Sequence, residues 1–173
     1  MLTRRQLYVL RHAKSSWDEP GLDDHERPLA PRGRRAVGAL TRQIEADGIR
    51  PALILCSSAR RARETLEGIG LAGRVSIEPE LYSANVDQLL ARLRRIPDQI
   101  GSAMVVGHNP ALQILTLRLA GSSPDAEGEA RRQSVLHKFP TGALATLSFD
   151  CAWRQLVAGT AELVGLVRPK DLH

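Results

Sequence analysis

Three short apolar runs constrain this chain more than anything else in it: Leu7-Tyr8-Val9-Leu10, Leu53-Ile54-Leu55-Cys56 and Ala103-Met104-Val105-Val106. Each has the length of a buried strand and stops abruptly at polar residues. Between them the period changes to that of a helix. Ala36, Val37, Leu40 and Ile44 recur over Gly33 to Asp47 ahead of Gly48, and Val86 to Ile96 turns Leu89, Leu90 and Leu93 inward before Pro97. An apolar helix, Ala111 to Leu119, comes after Asn109 as its cap and Pro110 as its first residue. Alternation of strand and helix specifies an α/β fold. Ala143 to Phe149 and Glu162 to Val167 add strands near the C-terminus as an antiparallel element, with a short pairing segment at Trp153 to Val157.

Ser15 to Arg32 carries Pro20, Pro28 and Pro31 and the acidic pairs Asp18-Glu19 and Asp23-Asp24, and reads as a long functional loop. Gly121 to Gln133 is small, polar and acidic and reads as a surface loop. Gly68 to Gly73 spells GxGxxG, but it comes after a helix and precedes the strand-like Val75-Ser76-Ile77. A dinucleotide fingerprint needs the opposite order, so the glycines are a helix-ending turn.

The residues at the three strand ends carry the chemistry. The first strand ends at Arg11-His12, the second at Ser57-Ser58-Ala59-Arg60-Arg61, whose serines are expected to cap the next helix, and the third at Gly107-His108-Asn109-Pro110. Ligands of open α/β sheets sit at carboxyl ends of strands, and a helix N-terminus favours an anion. Guanidinium forks match phosphate oxygens, so imidazoles beside arginines point to phosphoryl chemistry.

The 173 residues fit a single domain, 1–173. Aromatic residues make up 3%, which leaves the core to Leu, Val, Ile and Ala. A formal charge of +5 favours anionic partners, yet the arginines are scattered rather than clustered with stacking aromatics, which argues for phosphate-bearing ligands and against nucleic acid. No apolar run approaches a membrane span, and residues 1–14 do not read as a signal peptide, so a cytoplasmic protein is expected. Cys56 and Cys151 form no metal-type pattern, and no GxSxG elbow, P-loop or HExxH motif is present.

LRHAKSSW, RPL at Arg27 to Leu29, SSARRARET, GHNP and TGALATLSFD together resemble the histidine phosphatase superfamily, and within it the SixA-type phosphohistidine phosphatases, over nearly the whole chain. The resemblance implies a three-layer α/β/α sandwich with a central, mostly parallel sheet, like that of phosphoglycerate mutases. It implies His12 as the nucleophile that becomes phosphorylated, Arg11 and Arg61 as clamps on phosphoryl oxygens, and His108 completing the pocket. Arg61 rather than Arg60 matches the pattern, standing directly before Ala62 and ahead of Thr65. Ser15, Lys14 and Asn109 are further phosphate contacts, with Lys14 and Lys138 also open to a partner.

Two guanidiniums and two imidazoles suffice for in-line transfer, so neither metal nor cofactor is expected. His108 is expected to serve best when protonated. Mutases of the superfamily carry a glutamate proton donor where this chain has Ser83. A phosphoramidate, whose leaving imidazole departs already protonated, needs that donor least. The expected substrate is therefore phosphohistidine on a partner protein, with Asp18 or Glu80 as the donor if one is used. The alternatives are a phosphomonoesterase acting on a small phosphorylated substrate and a non-catalytic phosphoprotein-binding module. Oligomeric state is not encoded in any readable motif.

Overall fold

The computed structural model describes residues 4–172. Residues 1–3, which belong to the segment expected to carry no signal peptide, and His173 lie outside the described residues.

Six strands form one sheet: β1 (Arg5–Arg11), β2 (Leu53–Ser57), β3 (Arg74–Glu78), β4 (Ser102–Gly107), β5 (Leu144–Phe149) and β6 (Glu162–Val167), in the spatial order β3-β2-β4-β1-β5-β6. The first four run parallel, while β5 pairs antiparallel with both β1 and β6. The expected mostly parallel sheet with an antiparallel C-terminal element is what forms.

Alternate residues of the strands feed two separate cores. Leu7, Val9, Leu53, Leu55, Ala103 and Val105 pack on one face, under α3 (Val86–Arg94) and α4 (Ala111–Ala120). Tyr8, Leu10, Ile54, Cys56, Met104 and Val106 pack on the other, under α1 (Pro31–Ala46) and α2 (Arg60–Ile69). Strands buried on both sides need apolar residues at every position, which is why they read as unbroken runs. Each buried Leu or Ile contributes about 1.5–3 kcal/mol through removal of its surface from water.

The helix α1 starts at Pro31, two residues before the expected Gly33, because Pro31 takes the first helical position, where a missing N–H costs nothing. Gly33 lies so near the preceding loop that a Cβ there would stand 2.1 Å from the Lys14 carbonyl oxygen. Gly70, at φ 70°, ends α2 in the left-handed conformation, confirming the GxGxxG segment as a helix-ending turn.

Two local expectations are corrected. The surface loop at Gly121 to Gln133 is instead largely helix α5 (Ala126–His137), capped by Asp125, whose side chain accepts from the Gly128 amide at 2.6 Å. Only Gly128 and Val135 of α5 are buried, so it shows almost no apolar stripe. Trp153 to Val157 is not a pairing segment. A 3-10 turn (Trp153–Gln155) places the buried Trp153 indole N–H 2.7 Å from the Ile100 carbonyl.

The long Ser15 to Arg32 loop has structure of its own. Ser15 bridges Leu29, the Ser16 amide reaches the Pro28 carbonyl at 2.8 Å, and a 3-10 turn forms over Asp24–Glu26. No described helix is long and apolar enough to cross a membrane.

Candidate active site

Strand order brings the three polar strand ends together. Because β4 lies between β2 and β1, their carboxyl ends are adjacent on one edge. Arg11 stands opposite Gly107 in the register, so His12 and His108 leave the sheet side by side. Their ring centroids are 5.1 Å apart at an interplanar angle of 52°. The cleft they line has a volume of about 520 Å³ and also takes in Arg11, Arg61, Asp24, Arg27 and Tyr82.

His12 is buried, and its Nδ1 lies 2.7 Å from the Ala13 carbonyl oxygen. A carbonyl only accepts, so Nδ1 carries the proton of the neutral ring and Nε2 keeps its lone pair. Burial pushes the His12 pKa down to about 3, the positive charges of His108, Arg61 and Arg11 add to the shift, and the Ala13 bond opposes it. The imidazole is therefore neutral at neutral pH, with its proton on Nδ1 and the Nε2 lone pair free.

The backbone around it is held from two directions. The Ala13 amide donates to the Thr65 hydroxyl at 3.0 Å, and that hydroxyl donates to the Arg61 carbonyl at 2.7 Å, tying the residue after His12 to the first turn of α2. Gly142, at φ 78°, donates its amide to the carbonyls of Arg11 and His12.

The His108 Nε2 lies 2.8 Å from the Ser57 hydroxyl, which also accepts from the Ala59 amide at 3.2 Å. Ser57 thus supports the second histidine instead of capping α2. Ala59 occupies the cap position, and Ser58 meets His25 Nε2 at 2.8 Å. His108 is not poised as an imidazolium: burial and Arg61 push its pKa down to about 4, with Asp24 opposing.

The guanidiniums are partly free. Arg11 gives Nη1 to the Phe139 carbonyl at 3.1 Å, while its buried Nε has no partner among the described residues. Arg61 is buried and spends two of its five donors on Asp24, through Nη1 to the backbone carbonyl at 2.7 Å and Nη2 to Oδ2 at 3.1 Å.

Asp24, read in the sequence only as part of an acidic patch, is the organising carboxylate. Its oxygens also accept from Tyr82 at 2.5 Å and Arg27 at 2.8 Å. The Tyr82 hydroxyl first, then Arg27 and Arg61, hold its carboxyl far below the usual range. Arg27 reaches onward to the hydroxyl of Ser15 and the carbonyl of Ser16, and lies 3.3 Å from the centroid of the exposed Trp17 ring. The spacing of Asp24 and Arg27, three residues apart, was the available sign of this pairing. Tyr82, directly before Ser83, carried none.

The remaining expected contacts divide. Lys14, Ser15 and Asn109 line the cleft. The Ser15 hydroxyl is engaged by Arg27, and the Asn109 amide nitrogen donates to the Phe139 carbonyl at 2.9 Å. Pro110 rather than Asn109 holds the cap position of α4, although Asn109 Oδ1 accepts from the Gln113 amide at 3.3 Å. Asp18 and Glu80 are exposed and do not line the cleft, and neither does Lys138.

Three guanidiniums against one carboxylate, with both imidazoles neutral, suit a bound dianion. Among the described residues no group of three or more His, Cys, Asp or Glu side chains is placed to hold a metal ion.

Residues 7–89 match the sequence model of the histidine phosphatase superfamily, branch 1. A protein of Mycobacterium tuberculosis, itself uncharacterized, is 36% identical over 161 residues, covering 93% of this chain and 100% of the relative. The chain belongs to the histidine phosphatase superfamily.

Among solved structures, a putative phosphohistidine phosphatase SixA from Nakamurella multipartitia matches this histidine phosphatase with a TM-score of 0.83 and 29% identity, over 96% of each chain. The putative phosphohistidine phosphatase SixA of Agrobacterium tumefaciens gives 0.78 and 27% identity over 95% of this chain and 98% of its own. This histidine phosphatase is of the SixA type and shares the phosphoglycerate-mutase-like fold.

Proposed function

We propose that this histidine phosphatase removes phosphate from phosphohistidine on a partner protein, through a phosphorylated His12. His12 Nε2 attacks phosphorus in line with the substrate's P–N bond. That bond breaks as the new P–Nε2 bond forms, and the departing imidazole, protonated beforehand on its other nitrogen, takes the bonding pair and leaves as the neutral ring. Arg11, through the Nη donors the Phe139 carbonyl does not use, and Arg61, through the donors Asp24 does not use, hold the equatorial oxygens. Negative charge arriving with the phosphoryl group draws His108 toward its imidazolium form, which then donates to a phosphoryl oxygen. Lys14, beside the same cleft, is a further phosphate contact. Water attacks phosphorus in the second step, breaking P–Nε2 and releasing inorganic phosphate.

One observation carries the choice of substrate. Asp24 is the sole carboxylate among the residues lining the cleft, and its three hydrogen-bond donors keep it ionised. An alkoxide leaving group has no carboxylic acid to protonate it here, and such assistance is worth about 10²–10⁴-fold. A phosphoramidate does without it. Trp17, 72% exposed at the cleft rim, supports a protein-sized substrate, since exposed tryptophans are frequent anchors of protein contacts.

The test compares loss of acid-labile label from a phosphohistidine protein with hydrolysis of a sugar phosphate. The phosphohistidine protein is expected to be the better substrate by kcat/KM, and an acid-labile phosphoenzyme should be trapped with the native chain and vanish in His12→Ala. Faster hydrolysis of the sugar phosphate overturns the choice of substrate. Absence of any phosphoenzyme overturns the mechanism and favours a binding module.

A further inference from the structure

A second cleft, of about 810 Å³, opens beside the first and shares Arg11, Lys14 and Thr141 with it. Its other cations are Arg32 from the first turn of α1, Lys138 just past α5, and Arg168 and Lys170 at the C-terminal turn. No carboxylate lines it. Arg168 is matched by Asp171 at 2.9 Å, whereas Lys14, Arg32, Lys138 and Lys170 are exposed and make no ion pair among the described residues.

Like charges gathered in a concave wall focus a positive field and favour an anionic occupant. The rest of the lining includes Ala36, Pro140 and Pro169, with no Phe, Tyr or Trp ring on which a base would stack. Continuity with the catalytic cleft decides the geometry: a chain that seats one side chain at His12 can run straight on past Arg11 and Thr141.

We propose that this basic cleft receives an acidic segment of the substrate protein, adjoining the phosphohistidine held at His12. The inference rests on the reading of the substrate given above, and adds to it a requirement for Asp or Glu residues beside the modified histidine.

The test uses two labelled, unphosphorylated peptides of equal length, one rich in Asp and Glu and one with Asn and Gln in their place. Binding is followed by fluorescence anisotropy with the full chain, the double variant Arg32→Glu/Lys170→Glu, and His12→Ala. Arg32 is exposed in the first helical turn, where Glu suits the helix dipole, and Lys170 is exposed, so the double variant retains its fold.

The acidic peptide is expected to bind the native chain about tenfold or more tightly than the neutral one, and to lose about tenfold in the double variant through two reversed rim charges. Hydrolysis of p-nitrophenyl phosphate by the double variant should be unchanged, and peptide binding by His12→Ala should match the native chain. Equal affinity for both peptides, or equal affinity of native and double-variant chains, overturns the proposal. So does displacement of the peptide by a DNA oligonucleotide at lower concentration than by the unlabelled peptide. None of these readouts requires turnover of phosphohistidine. Failure of that turnover with peptide binding intact therefore overturns the substrate reading alone.

Discussion

Nδ1 of His12 faces the carbonyl oxygen of Ala13 at 2.7 Å, and this contact decides which nitrogen of the ring can react. Because the partner is an obligate acceptor, the free lone pair of the ring is at Nε2 without any neighbouring base to generate it. Burial completes the arrangement by keeping the second proton off the ring.

A specific pH dependence is expected. In the proposed mechanism neutral His12 is the active form, and with its pKa pushed to about 3 the acid limb of kcat/KM should lie far below pH 6.5. A pH profile that falls with a midpoint near 6.5 contradicts the burial argument.

Stability should also depend on acid. Between pH 6.5 and the depressed values of about 3 for His12 and about 4 for His108, an unfolded chain binds protons that the folded one refuses. Stability is then full above pH 6.5 and falls on acidification by about 1.4 kcal/mol per pH unit for each histidine. Urea unfolding at pH 7 and pH 5 should show this loss, and His12→Gln should show less of it.

Asp24→Ala leaves Arg61, Arg27 and Tyr82 without their shared acceptor. Asp24 is a positioning residue, so the loss should fall on kcat/KM, by about tenfold or more for a charged hydrogen-bond network. Asp24→Glu should recover part of it, which a loss of folding alone would not predict. Steady-state kinetics on the three chains distinguishes the cases.

Thr65→Val removes the acceptor of the buried Ala13 amide while conserving shape. The expected cost is about 1–3 kcal/mol of stability, read by chemical denaturation, together with a lower kcat because the His12 backbone loses its tie to α2.

Asp18→Asn and Glu80→Gln should each leave hydrolysis of an alkyl phosphate within about twofold of the native rate, as expected of exposed side chains away from the cleft. A large loss in either would reveal a donor that swings in with substrate.

The strands were legible because burial on both faces writes unbroken apolar runs such as Leu53 to Cys56. The ends of β1, β2 and β4 were legible because Arg11-His12, Arg61 and His108 are chemically unusual at such positions. Helix α5 was not, since only Gly128 and Val135 of it are buried and its other residues look like a loop. Asp24 and Tyr82 were missed for a different reason: they meet across 58 residues of chain, and nothing local distinguishes either from a surface residue. Ser57 read as a helix cap because the register that aims it at His108 belongs to the sheet and not to its own segment.

The insertion of β4 between β2 and β1 has a consequence for assembly. Before the stretch ending at Gly107 is laid down, the edges bearing His12 and Arg61 are not neighbours and share no floor. A polypeptide that stops short of β4 therefore holds Arg11, His12 and Arg61 yet has no strand to bring them onto one edge.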